Sequence, residues 1–387
     1  MPPLSVRAGV ALNAAFYGQI SVTLPLTVAA SGATKGQIAV FFAVSAVVAA
    51  GLNLIGGPAL RRWGSPWWAA SLCGFVAAAG TLTVLVAAPS PVMYPAGAAM
   101  MTMTLLFPHY IAIVGGARPD APARLVGRMR RIFVLGFMAG LALASAGSAI
   151  ESFPPLWIAV VIASLCGVIP WFETSLTAGP PSPVRDVPAP VVQARVTVLT
   201  CVVAVLLLRG ADSVRLVYLP LFVVQQGLSG TFVALLFLAS VAAEVPMLGP
   251  ISVLADRIGS RRTIVLVAGV GLMSFALVAA GGGAAVLVAS QLLYAVFAAG
   301  FQSVGMVLLS EVLAGGLGAG ADVYTGMVQV GAVFGVVAPL LVPGYTAQIF
   351  VLGAGFCLGS MLLLTLPAVR RRTPGPSPSG HEGRNVT

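Results

Sequence analysis

Three charged residues stand where charge is costly. Arg209, Asp212 and Arg215 fall at i, i+3 and i+6 inside one long apolar run, and Glu244 lies in the next, two residues before Pro246. An ionisable group at bilayer depth costs from ~2.5 kcal/mol upward, so it faces a cavity or a partner. On a helix this spacing lets Asp212 touch either arginine. The triad therefore either neutralises itself or also lines an internal, water-reachable cavity. Glu244 sits about 15 Å of helix from the end of its run, and Pro246 frees a backbone carbonyl and can bend the helix there. An acid so placed can take up and release a proton. Glu244 is the first candidate for a proton-carrying residue and Asp212 the second; the alternative for Glu244 is a fixed ion pair with Arg209.

The surroundings of these residues define the class of chain. Charged residues are 8% of the 387 and hydrophobic residues 59%, against about 25% charged in soluble domains. Apolar runs long enough to span a bilayer, about 20 residues each, recur between short polar breaks. Period-2 alternation is missing, which selects helices over a transmembrane barrel. The spans predicted are 8–30, 37–60, 67–88, 92–114, 131–151, 155–177, 196–224, 230–254, 263–281, 284–312, 322–343 and 345–367. The first, with Arg7 before it and small residues after it, could pass for a cleaved signal peptide. Its length, and a counterpart later in the chain, argue against that.

The net charge of +10 would suggest nucleic acid in a soluble protein, but its distribution excludes that reading. With the N-terminus inside, 17 of the 20 basic residues fall on the cytoplasmic side, Lys35 alone falls outside, and Arg209 and Arg215 lie within a span. The positive-inside rule then places both termini in the cytoplasm. The cysteines Cys73, Cys166, Cys201 and Cys357 sit singly in apolar runs, without metal or redox spacing. No phosphate-binding glycine loop is present, and two histidines, one in the tail, leave too little for a membrane-embedded enzyme. No cofactor or metal is expected.

A proline-rich connector divides the chain. The expected layout is a six-helix bundle over 1–178, a cytoplasmic linker over 179–195, a second six-helix bundle over 196–368 and a disordered tail over 369–387. The two halves repeat each other. Leu24-Pro25-Leu26 matches Leu219-Pro220-Leu221, Gly32 matches Gly227, Arg62 matches Arg257 and Gly64 matches Gly259, all at an offset of 195 residues. A constant offset across two helices and a loop supports parallel repeats. Tyr17 occupies the repeat position of Asp212, which puts it on the cavity side if Asp212 is there. Asn13 and Gln19 add polar groups to the first span, Gln302 to the tenth and Gln329 to the eleventh. All four are candidates to line the substrate cavity, and Gln302 and Gln329 either hydrogen-bond a polar solute or form an interhelical bond. His109 follows Pro108 near the end of the fourth span, and Phe107, Tyr110, Tyr294 and Phe297 offer a greasy wall or ordinary helix contacts.

Ser252-Val-Leu-Ala-Asp256-Arg257-Ile-Gly259-Ser-Arg261-Arg262 resembles the loop signature of the major facilitator superfamily, with Ser252 where Gly is usual. The first half carries Gly57-Pro58-Ala59-Leu60-Arg61-Arg62-Trp63-Gly64, with Arg61 where the signature has Asp. The second half is similar to the sugar efflux transporter branch in Leu219-Pro220-Leu221-Phe222, Glu244-Val245-Pro246 and Gln291-Leu292-x-Tyr294-Ala295-Val296-Phe297, as is Met129-Arg130 before the fifth span. The resemblance implies an all-α membrane protein of twelve transmembrane helices in two pseudo-symmetric six-helix bundles. It also implies a cavity lined by the first, fourth, seventh and tenth helices, to which Arg209, Arg215 and Tyr294 belong. Each signature loop should abut a helix start in the other half. That suggests two cytoplasmic latches, Arg61 with Asp322 and Asp256 with Arg130 or Arg131, closed in the outward-open state; the alternative is that these arginines only obey the positive-inside rule.

The expected function is secondary active transport of a small organic solute by alternating access. Proton-coupled efflux of a sugar or drug-like compound across the cell inner membrane, by a monomer that binds no nucleic acid, is the leading form. The alternatives are a solute importer of the same superfamily and a non-transporting membrane sensor or scaffold.

Overall fold

The computed structural model describes residues 4–56, 59, 67–110, 122–150, 154–173, 195–313 and 316–365, with the main chain alone at 122–128, 173, 316–323 and 325. Twelve helical passages follow one another among the described residues, and no strand occurs there. In the first half these are α1 (Leu4–Ala30), α2 (Lys35–Gly51), α3 (Trp67–Ala87), α4 (Met93–Met100), α5 (Pro122–Ser148) and α6 (Leu156–Val168). In the second they are α7 (Arg195–Gln225), α8 (Gly230–Ile258), α9 (Ser260–Ala279), α10 (Ala284–Val312), α11 (Gly316–Val337) and α12 (Ile349–Thr365). A π turn (Leu52–Gly56) continues α2, and 3-10 turns continue α4 (Met101–Leu105), α6 (Ile169–Glu173) and α11 (Ala338–Leu341). Among the described residues, seven helices are long and apolar enough to cross a membrane, and three shorter apolar helices accompany them. The connector and tail read from the sequence, 179–194 and 366–387, lie outside the described residues.

The repeat is written into the local chemistry of the turns. Thr34 caps α2, its side chain accepting from the Gln37 N–H in a reciprocal capping box, and Ser229, 195 positions on, caps α8 by accepting from the Phe232 N–H. Each cap satisfies a helix N–H that hydrocarbon would leave orphaned. Just before them Gly32 and Gly227 take φ of 86° and 81°, a left-handed conformation that glycine adopts without cost. Pro25 and Pro220 lie inside α1 and α7.

The signature loop is tighter than the sequence suggests. Helix α8 runs on to Ile258 and α9 starts at Ser260, so the connection shrinks to Gly259 at φ 89°. Asp256 and Arg257 therefore ride on the last turn of α8, and Arg261 and Arg262 on the first turn of α9. The Arg261 Nε donates to the Leu364 carbonyl at 2.7 Å, near the end of α12. The second half thus ties one of its own helix ends with this loop.

Glycines set how closely the helices meet. A Cβ on Gly136 or Gly140 of α5 would lie 2.3 Å or 2.1 Å from the carbonyl oxygens of Ala11 and Ala15 in α1. In the second half a Cβ on Gly331 or Gly335 of α11 would lie 2.7 Å or 2.1 Å from the carbonyl oxygens of Leu206 and Gly210 in α7. All four positions of the second set are the first set advanced by 195. Small residues of this kind let membrane helices touch backbone to backbone, where lipid supplies no hydrophobic drive for association. Contacts between the halves run through α1 with α7, α2 with α11, and α5 with α8.

Candidate functional site

The site grows from the middle of α7. Arg209 Nη1 forms an ion pair with Asp212 Oδ2, the one ion pair among the described residues, and Arg209 Nε donates to the Val328 carbonyl of α11 at 3.1 Å. The Tyr294 hydroxyl of α10 donates to the other carboxylate oxygen of Asp212. Asp212 is thus held from two helices, by Arg209 one turn back on its own face of α7 and by Tyr294 of α10.

Arg215 turns the other way. Its Nε donates to Gln291 Oε1 at 2.5 Å, and its guanidinium lies 4.0 Å and 3.9 Å from the ring centroids of Phe237 in α8 and Tyr294. Two aromatic faces and a neutral amide hold this buried cation. The sequence reading that Asp212 could serve either arginine is resolved by the fold: Arg209 takes the ion pair.

Glu244 stands at the midpoint of α8, fourteen residues from each end, so about 21 Å of helix separates it from either face. It is half-buried and has no ion pair, with Arg209 or any other described residue. Burial is the main influence on its carboxylate, and the charges near enough to act on it belong to Arg130, Asp212 and Arg215, in that order. Arg130 is on α5, in the other half, and its Nη2 donates to Gln302 Oε1 of α10 at 3.5 Å. Phe297 and Phe301 stack along α10 with ring centroids 5.9 Å apart, and Tyr324 of α11 reaches the Phe301 carbonyl at 3.4 Å. Five helices, one of them from the first half, thereby converge on two acids, three arginines and an aromatic ladder.

Other expected site residues lie elsewhere. Asn13 donates to the Met103 carbonyl at 2.9 Å and Gln19 to the Pro155 carbonyl at 2.8 Å, so both bond within the first half. Tyr17 does not join the Asp212 network: its hydroxyl is buried without a hydrogen-bond partner among the described residues. Repeat position places a residue on a helix, but the rotamer and the neighbouring side chains choose its direction. Gln329 is half-buried on α11. His109 is buried against the Tyr110 ring.

The Asp256 latch is not formed among the described residues. Asp256 is exposed and has no ion pair with Arg130 or Arg131, Arg130 having turned to Gln302. Arg61 and the Asp322 side chain lie outside the described residues. Asp256 instead borders a cavity of about 360 Å³ between α8, α9 and α10, in which Ser260 donates to Glu311 at 2.6 Å. Lys35 was legible only as the exception to the charge bias. Its Nζ donates to the carbonyls of Val342 and Gly344 at 2.5 Å and 2.6 Å, across the two halves.

The Arg209–Asp212 pair has a measurable consequence. Replacing Asp212 by Asn strands the Arg209 charge and weakens the Tyr294 bond. Thermal unfolding in detergent should show a loss of about 3 kcal/mol, whereas removing both charges with Arg209→Met and Asp212→Leu should cost less. Equal losses in the single and double variants would deny the pairing.

Among the described residues, twelve helical passages in two repeated halves, with a charged network buried among α5, α7, α8, α10 and α11, define a helical membrane protein. The family model of the Major Facilitator Superfamily matches residues 202–387, the second half of the chain. Sugar efflux transporter B of Salmonella typhimurium is 25% identical over 200 residues, which is 51% of this chain and 51% of that protein; the chain thus spans about half the length of this curated relative. Among solved structures, a variant of the nucleoside transporter NupG superposes with a TM-score of 0.76 at 14% identity, covering 93% of this chain and 98% of that one. A bacterial homologue of the iron transporter ferroportin, in its inward-facing state, superposes with a TM-score of 0.68 at 16% identity, covering 93% and 97%. These likenesses carry the fold.

Proposed function

We propose that the protein is a secondary active transporter that moves a small organic solute by alternating access, in the form of proton-coupled efflux of a sugar or drug-like compound. It works in the inner membrane as a monomer with both termini cytoplasmic, its halves being 1–178 and 196–368 joined by the linker 179–195. The observation that carries this reading is Glu244, an acid at mid-helix without an ion pair among the described residues, with Arg130 of the opposite half first among the charges around it. The printed name of the Salmonella relative supports the sugar-efflux form.

The proton has a mechanical role in this scheme. Ionised, Glu244 attracts Arg130 and draws α8 toward α5; protonated, it lets that attraction go. In a desolvated site such a charge interaction is far stronger than in water. Loading and unloading one proton therefore biases the two rocking halves between two arrangements. Arg209, Asp212 and Tyr294 hold α7, α10 and α11 in register while this happens, with Asp212 the second candidate for the proton. Gln302, Gln329 and the α10 aromatics supply hydrogen bonds and ring faces to the solute. When the cytoplasmic side shuts, Asp256 meets Arg130 or Arg131, and Arg61 meets Asp322.

The test is solute-driven proton movement in proteoliposomes with a pH-sensitive dye inside. A sugar gradient should move protons in the opposite direction. A sugar flux that leaves the dye unchanged would remove the coupling, and the absence of any solute flux across a broad sugar and drug panel would remove the transport reading.

A further inference from the structure

Lys35 is placed against two of the rules that govern the rest of the chain. It is the one basic residue assigned to the outer side, where the positive-inside bias disfavours it. It is also the first residue of α2, the positive end of that helix's dipole, where a cation is locally unfavourable. Its counterpart in the repeat, 195 positions on, is Gly230, so the second half does without it.

The compensation comes from the other half of the molecule. Val342 is the C-cap of the 3-10 turn that ends α11, and its carbonyl accepts from Lys35 Nζ at 2.5 Å. The Gly344 carbonyl accepts at 2.6 Å, from a residue with φ 62° that turns the chain back over the ammonium. Carbonyls at a helix end lack intrahelical donors and carry the negative end of the dipole. Two rings complete the enclosure, Tyr218 at 5.6 Å and Tyr345 at 5.8 Å from Nζ. Tyr218 is itself pinned, its hydroxyl donating to the Val336 carbonyl at 2.6 Å. The ammonium is thus caged by carbonyls and rings of the second half, with no carboxylate of the described residues within ion-pair range.

We propose that Lys35 is the latch of the face opposite the chain termini: it holds α2 against the end of α11 and must leave its cage for that face to open. This rests on the alternating-access reading. The cage has no acid, so the latch is released by movement of α11 and not by titration of its own acceptors. Tyr218 lies on α7, nine residues beyond Arg209, and Val336 lies on α11, eight residues beyond the Arg209 acceptor Val328. The same two helices thereby connect the latch to the charged network.

The experiment is electron–electron distance measurement on the purified full chain, spin-labelled at Ala30→Cys and Gln348→Cys, with the four buried native cysteines replaced by alanine. These label sites are exposed and lie on this face in opposite halves. Lys35→Met should raise the ratio of long to short distances about tenfold or more, since it removes two hydrogen bonds to a charged donor. Lys35→Arg, which keeps the cation and its donors, should stay close to the parent. An unchanged distribution in Lys35→Met overturns the latch while a bimodal parent leaves alternating access standing. An arginine variant as open as the methionine variant assigns the effect to side-chain shape and overturns the cage. A single short distance in every chain removes the latch and alternating access together.

Discussion

Glu244→Gln is expected to abolish solute-driven proton movement while leaving solute exchange in place. The substitution is nearly isosteric: it keeps a hydrogen-bonding group at the same place on α8 but removes both the charge and the titration. Without a proton to lose, the residue cannot alternate between attracting Arg130 and releasing it. The two halves then still rock, because exchange of solute for solute needs only the loaded carrier. In proteoliposomes, counterflow of labelled solute should persist within a few-fold of the parent, and dye-detected proton flux should fall at least about a hundredfold, to the leak level, as for loss of a group required in every coupled cycle. Glu311→Gln serves as the comparison. That acid accepts from Ser260 at 2.6 Å at the border of the α8–α9–α10 cavity, and its loss should leave coupling intact. Undiminished proton flux in the Glu244 variant, with normal protein yield, would reject Glu244 as the carrier.

Gly140→Val and Gly335→Val should each unfold a half of the molecule. A Cβ at either site would stand 2.1 Å from a carbonyl oxygen of the facing helix, Ala15 for Gly140 and Gly210 for Gly335. Backbone cannot swing aside as a flexible side chain can, so α5 must leave α1, or α11 must leave α7. Overfilling of this kind costs about 3 kcal/mol or more, a large share of a stability of roughly 5–15 kcal/mol. The Gly335 variant should also disturb the site, because the next turns of α7 carry Asp212 and Arg215. Gly355→Val is the control, since nothing lies within 4 Å of its added Cβ. Size-exclusion profiles and melting curves in detergent should show aggregation or a large drop for the first two and little change for the third. Three equal melting temperatures would mean that these glycines do not set the helix spacing.

Gly140 and Gly335 also show where sequence reading stopped short. The constant offset of 195 was visible in Pro25 and Pro220 and in Gly32 and Gly227, residues whose types alone announce a bend or a turn. The glycine pairs obey the same offset, but a glycine inside an apolar run looks like any small residue until a facing carbonyl is seen against it. Asn13, Tyr17 and Gln19 failed for a related reason. Their polarity identified them as groups needing partners, and any partner satisfies that need. Asn13 and Gln19 found backbone carbonyls of α4 and α6 within their own half.

The amino-acid sequence by itself determined the solvent, the element type and the number of passages. Few charges, long apolar runs and a one-sided distribution of arginines leave only a helical bundle in lipid, because unpaired backbone there is too costly for anything else. It determined the duplication too, and singled out Arg209, Asp212, Arg215 and Glu244 because charge at that depth must be compensated. Only the tertiary structure decided who compensates whom: Asp212 with Arg209 and Tyr294, Arg215 between two rings and an amide, Glu244 without an ion pair among the described residues, and Lys35 in the carbonyls beyond α11. Such pairings depend on side-chain direction and on helices separated by up to hundreds of residues, and those relations exist only once the chain has packed.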